Sequence, residues 1–158
     1  MTDRAASATA LLAFLVLFIC SALADNRGSV ALHFPDSYSL QERSLTETNI
    51  RQTISIWESD FQCQVSKPIE ILVAKGQFKT PGLPWTLDGL YQHSLRRITV
   101  WAGPRNEVPA LYHELCHLHN RETGAKDRDH EDKRWRGWDK RGRQIAQNLA
   151  TNSKTNGR

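Results

Sequence analysis

The run His113-Glu114-Leu115-Cys116-His117 carries more chemical information than any other segment of the chain. On a helix, positions i and i+4 share a face, so His113 and His117 would present two imidazoles to one metal ion with Glu114 projecting beside them. Zn2+ suits that donor set. It polarises a carbonyl as a Lewis acid and lowers the pKa of its bound water to near neutrality, while a carboxylate that is not a ligand takes up the proton. Such a site needs a third protein ligand and a fourth position open to water. His130 is the preferred third ligand: His113, His117, His119 and His130 hold most of the six histidines, and a turn past Gly124 can fold residues 125–135 back beneath the helix. Glu131 is the alternative. His119 and Glu122 are weaker competitors, since His119 sits two positions from His117 and points off the ligand face. Asp127 or Asp129 would orient an imidazole from outside the metal shell.

Hydrolysis of an amide also needs a donor for the developing oxyanion, and Tyr91, His93, Tyr112 and Arg134 are the candidates. Each has a plainer reading: Tyr112 as a half-buried helix residue, His93 as a polar loop residue, Arg134 as part of a solvated face. Trp85, Trp101, Trp135 and Trp138 read as core and cover residues rather than a recognition platform. Cys116 reads as a packed or disulfide-bonded residue, because His113 and His117 already take the metal-facing side.

The elements that must position these residues follow from periodicity. Residues 29–34 alternate apolar side chains at Val30, Leu32 and Phe34 before Pro35, which predicts a short strand. Ser44-Leu45-Thr46-Glu47 has the form of a capping box, and Leu45, Ile50, Ile54 and Trp57 then recur at helical spacing through Phe61. Residues 69–74 and 96–102 are rich in β-branched side chains and are expected as neighbours in one sheet. Between them, residues 76–94 read as a long surface loop around Trp85 and Tyr91. A second helix is expected from Ala110 to about Arg121. A third is expected over residues 133–150, with Trp135, Trp138, Ile145 and Leu149 on one face; Gly137 and Gly142 weaken it. Residues 151–158 read as a disordered polar tail.

The 158 residues are 39% hydrophobic and 24% charged, which excludes a disordered chain, a collagen and a multispan membrane protein. The longest apolar run lies at residues 5–24. With Arg4 before it and Ala22-Leu23-Ala24 at its end, it is expected to be a secretory signal peptide cleaved before Asp25. An uncleaved membrane anchor is the alternative, and a lipidated Cys20 is disfavoured by the bulky Ile19 before it. Export to the periplasm or the medium follows. Loss of Asp3 and Arg4 leaves the net charge at +4, and the surplus is concentrated in Lys133, Arg134, Arg136, Lys140, Arg141 and Arg143, faced only by Asp139. That cluster could hold phosphate-bearing or acidic surfaces. In an oxidising compartment Cys63 and Cys116 become a candidate disulfide worth about 4 kcal/mol in the chain-entropy description; two separate buried thiols are the alternative.

Tyr112 to His117, following the strand at residues 97–102, resembles the active-site helix of the zincin metallopeptidases over residues 96–135. The resemblance implies a sheet whose edge strand lines the cleft, an HExxH helix beneath it and peptide-bond hydrolysis by a zinc-bound water. His113 and His117 then match the two helical ligands, and Glu114 matches the general base. Asn120 and Thr123 stand where a metzincin has Gly and His, and Met1 is the only methionine, so no Met-turn exists. A gluzincin of the usual layout takes a Glu from a later helix, and residues 144–158 contain no acid. What is left is similar to compact bacterial and SprT-like zincins, in which a histidine beyond the helix completes the site.

The expected fold is a compact α+β domain at residues 25–150, with a small mixed sheet packed on an N-terminal helix, the HExxH helix and a C-terminal helix. The expected function is that of an exported zinc metallopeptidase acting on a peptide or protein substrate, with Zn2+ on His113, His117 and His130 and Glu114 as general base. One alternative is a zinc-holding module without hydrolysis that uses the basic C-terminal helix to bind acidic surfaces. Another is a nucleic-acid binder, prompted by Trp135 and Trp138 interleaved with bases at residues 133–143. The leader sequence argues against a chromosomal target.

Overall fold

The computed structural model describes residues 29–79, 86–101, 107–126, 130 and 133–155. The expected signal peptide, Trp85, Asp127, Asp129 and Glu131 lie outside the described residues. The described chain is an α+β fold of three helices and a small mixed sheet. The elements are β1 (Val30–His33), α1 (Leu40–Phe61), β2 (Ile69–Ala74), β3 (Phe78–Lys79), β4 (Thr86–Leu87), β5 (Gly89–Gln92), β6 (Arg97–Trp101), α2 (Glu107–Thr123) and α3 (Lys133–Thr155). No helix among the described residues is long and apolar enough to cross a membrane.

The main sheet has the order β1-β2-β6-β5, with β1, β2 and β6 parallel and β5 antiparallel to β6. Ile71 pairs with Ile98 and Val73 with Val100, so alternate β-branched side chains of neighbouring strands form one buried face. The neighbouring placement of the strands at 69–74 and 96–102 matches expectation. The expected loop at 76–94 does not. It contains the β3–β4 ribbon, with Phe78 opposite Leu87, and the edge strand β5. Gly89-Leu90-Tyr91-Gln92 is too short and too little patterned to declare itself; its pairing comes from β6, which supplies a ready ladder.

Helix α1 begins earlier than the sequence suggested. Its N-cap is Ser39, whose Oγ accepts from Glu42 N at 3.2 Å while Glu42 Oε2 accepts from Ser39 N at 2.7 Å. Ser44 lies inside the helix, where its carbonyl accepts from Thr48 Oγ1. Two Ser-x-x-Glu patterns compete here. The first wins because the turn at Pro35–Tyr38 delivers the chain to Ser39 and the intervening residues are good helix formers. The buried stripe is Thr46, Ile50, Thr53, Ile54 and Trp57; Leu45, expected on the core face, is 56% exposed.

Helix α2 packs on α1, on β5 and β6, and on α3. Leu111, Leu115 and Leu118 are fully buried, and each contributes roughly 1.5–3 kcal/mol relative to exposure. α3 crosses α2 closely. A Cβ on Gly142 would lie 3.2 Å from Pro109 Cα, so the glycine that weakens the helix by propensity is the one that lets the two backbones meet. Trp135 and Ile145 are buried, with Trp138, Ala146 and Leu149 packed beside them, and the helix continues to Thr155 into the stretch expected as a tail.

Asp60 ties the three helices together. Its Oδ2 accepts from Tyr112 Oη at 2.9 Å, and its two oxygens take the Arg141 guanidinium at 2.8 and 2.9 Å. The Arg141 bond, reinforced by that from Tyr112, holds the Asp60 carboxyl below the usual range. The candidate disulfide is not formed: Cys63 is a partly exposed free thiol and Cys116 is a buried one. Burial pushes the Cys116 thiol pKa up, which makes it an inert packing residue.

Candidate metal centre

From its seventh residue, α2 turns one face toward α3, and His113 and His117 stand one turn apart on it with ring centroids 5.0 Å apart. Gly124, at φ 70, ends the helix in the left-handed conformation that a residue with a Cβ adopts at a cost. The chain then doubles back, Lys126 O accepts from Arg134 Nη2 at 2.8 Å, and His130 returns to the helical pair. Its ring centroid lies 5.3 Å from that of His113 and 4.9 Å from that of His117. The ligand atoms of His113, His117 and His130 all lie within 4.8 Å of one another. Trp135 forms the floor, with its ring 4.9, 4.6 and 4.6 Å from the three imidazoles.

Three neutral imidazoles are a donor set for Zn2+ and for other borderline first-row cations. The fit can be tested on distances. Two nitrogens at about 2.0–2.1 Å from a tetrahedral zinc stand roughly 3.3 Å apart. His117 Nε2 and His130 Nε2 are 3.0 Å apart, a separation at which two ring nitrogens share either a proton or a cation. That pair is within a few tenths of an ångström of the required separation, and the ligand atom of His113 lies within 4.8 Å of both.

His113 Nδ1 lies 2.9 Å from Asp139 Oδ1, so an Nδ1–H donates to the carboxylate and leaves Nε2 for a metal. Sequence reasoning missed this partner and looked instead to Asp127 or Asp129. The available signal was that Asp139 is the lone acid in a basic run, one turn after Trp135 on a helix that has to pass the site.

Glu114 is 7% exposed and lies against the edge strand, its Oε2 accepting from Tyr91 N at 2.7 Å. The reason is visible in the ladder: Trp101 N donates to Asp88 O, which sets the pairing so that the Tyr91 N–H faces away from β6. Gly89 makes room for the carboxylate, since a Cβ there would lie 2.7 Å from Glu114 Oε1. An open cleft of about 300 Å3 runs between Leu87–Gly89 and the side chains of His113, Glu114 and Asp139.

The other sequence candidates separate clearly. His119 packs against Phe61 at 4.5 Å and edge-on to Trp57, and burial pulls its pKa down. Glu122 pairs with Arg96. Tyr112, offered as an oxyanion donor, is 1% exposed and bonded to Asp60; burial, then that bond, push its phenol pKa up. Arg134 spans Lys126 O and the face of Trp138 at 5.0 Å. Tyr91 Oη and His93 Nδ1 meet each other at 3.1 Å. Trp101 Nε1 donates to Lys75 O, as a cover residue would. No known protein family matches this sequence, and neither a curated protein nor a solved structure matches the chain.

Proposed function

We propose that this protein is a zinc-dependent hydrolase of peptide or other amide bonds, with Zn2+ held by His113, His117 and His130 and with Glu114 as general base. The observation that carries the reading is the convergence of three imidazoles within 4.8 Å beside the cleft that Glu114 lines. A zinc ion bound there would supply Lewis acidity and an acidified water. The chain's own residues do the rest. Asp139 fixes the tautomer and orientation of His113. The Tyr91 N–H fixes the Glu114 carboxylate at the cleft, where it can accept a proton from the attacking water and return it to the leaving nitrogen. Trp135 keeps water from beneath the imidazoles. Export, expected from the leader-like residues 1–24, belongs to the same proposal.

The test is metal content of the full chain after dialysis against metal-free buffer, together with hydrolysis of a mixed peptide library by wild type and Glu114→Gln. One zinc per chain, with Glu114→Gln retaining metal and losing at least a hundredfold in rate, is expected. Absence of bound zinc from wild type refutes the site, and full activity in Glu114→Gln refutes the mechanism. The engagement of Glu114 by β5 also suits a zinc-holding module without hydrolysis. That reading requires stoichiometric zinc with no cleavage of any library member.

A further inference from the structure

The structure divides the six bases of residues 133–143 into two kinds. Arg141 is committed to Asp60, and Arg134 to Lys126 O and the Trp138 ring. Lys133, Arg136, Lys140 and Arg143 are exposed, and none of them has an ion pair with a carboxylate among the described residues. Their spacing of three, four and three residues puts them on one face of α3, opposite the stripe of Trp135, Gly142 and Ile145 that meets the core. At 1.5 Å of rise per residue the strip is about 15 Å long. Neighbouring like charges at these spacings repel one another in the free helix, and bound anionic groups relieve that repulsion.

The strip also borders the cleft. Asp139 is turned toward His113, and its neighbours on the helix surface are Arg136, one turn before it, and Arg143, one turn after it. A chain lying in the cleft lined by Leu87, Gly89, His113 and Asp139 that continues past Asp139 therefore runs onto the basic face. Nucleic acid fits less well. The aromatic rings that would stack bases, Trp135 and Trp138, are turned inward, Trp135 to the three imidazoles and both to each other at 4.9 Å.

We infer that Lys133, Arg136, Lys140 and Arg143 form a docking strip for an acidic stretch of the polypeptide substrate, next to the cleft in which it is cut. The inference rests on the proposed hydrolytic reading for the word substrate, but its recognition chemistry is independent of the metal. An extended peptide advances about 3.3 Å per residue, so roughly five or six residues span the strip, with alternate carboxylates about 6.6 Å apart on the side that faces it.

The experiment is fluorescence anisotropy with the full chain carrying Glu114→Gln, so that no probe is cut, against labelled deca-glutamate and a labelled neutral Gly/Ser decapeptide. Deca-glutamate should bind at least tenfold more tightly than the neutral peptide at low salt and lose that advantage as salt rises. The combined variant Lys133→Gln, Arg136→Gln, Lys140→Gln and Arg143→Gln should bind it at least tenfold more weakly while keeping its helical circular dichroism and its metal content. Should the combined variant not fold, Lys140→Gln and Arg143→Gln singly should each weaken binding about twofold to fivefold. Equal binding of the two peptides, or no effect of these substitutions, overturns the strip. Tighter binding of a charge-matched oligonucleotide than of deca-glutamate overturns the acidic peptide in favour of nucleic acid. Charge-dependent binding by a chain that cleaves nothing sinks the hydrolase reading and leaves the strip standing.

Discussion

Gly89→Ala makes the sharpest demand on the arrangement around Glu114. The three atoms nearest a Cβ at position 89 all belong to Glu114: Oε1 at 2.7 Å, Cγ at 2.9 Å and Cδ at 3.2 Å. The backbone of Gly89 is outside the left-handed region, so alanine brings no dihedral strain and the whole penalty is contact with that one side chain. The carboxylate is held on its other oxygen by Tyr91 N at 2.7 Å, and it must retreat by several tenths of an ångström, which stretches or breaks that bond. Loss of a hydrogen bond to a charged group costs about 1.5–3 kcal/mol, and the reduced freedom of the unfolded chain returns about 0.4–1 kcal/mol, for a net loss of roughly 1–2 kcal/mol. In a Glu114→Ala background the obstacle is gone, and the same Gly89→Ala change should be neutral or stabilising by up to about 1 kcal/mol. Urea unfolding of the four chains of this double-mutant cycle, followed by tryptophan fluorescence at fixed metal concentration, measures the coupling. Equal costs in the two backgrounds would refute the placement of Glu114 against β5. If the hydrolase reading holds, Gly89→Ala should also lower kcat while zinc content stays at wild-type level, since the three atoms nearest a Cβ at position 89 belong to Glu114 and none to a histidine.

Asp139→Asn should weaken zinc binding about 10–100-fold in a competitive chelator titration, because an amide no longer fixes His113 as a carboxylate does, and an unchanged affinity would argue against that partnership. His130→Ala should remove stoichiometric zinc, as read by metal analysis after dialysis. The lowered pKa of Asp60 means that its bonds to Arg141 and Tyr112 add stability above about pH 4, an addition that is lost as pH falls through the folded-state pKa. Wild type and Asp60→Asn should therefore differ in denaturant midpoint at pH 7 and converge below pH 4. Gly137→Ala, in open space on α3, should stabilise by about 0.5–1 kcal/mol, whereas Gly142→Leu should destabilise by at least 1–3 kcal/mol against the backbone of Pro109; thermal melts of both distinguish them.

Local patterns in the chain were sufficient for the features whose cause is local. The i, i+4 pair His113 and His117 needs only helical geometry to share a face, and the β-branched runs at 69–74 and 96–101 needed only each other to become parallel neighbours. His130 was legible because Gly124 and the length of the turn let it come back. The misses share a different physics. Ser39 and Ser44 offer the same capping chemistry, and only the preceding turn decides between them. Strand β5 has no strong pattern of its own and exists because β6 offers hydrogen bonds along one edge. Tyr112 resembled a site donor by proximity in sequence to His113, but neighbouring positions on a helix point about 100° apart, and Tyr112 faces the core. The cysteines became free thiols rather than a bridge because pairing depends on a through-space distance that spacing does not encode. Asp139, Gly89 and the Tyr91 N–H reach the site from elements remote in sequence, so their roles arise when α3 crosses α2 at Gly142 and the sheet edge closes over Glu114. The chain's order thus fixed which groups can hold a metal, and packing alone chose the carboxylate and the main-chain donor that orient them, because those contacts are made between surfaces and not along a helix.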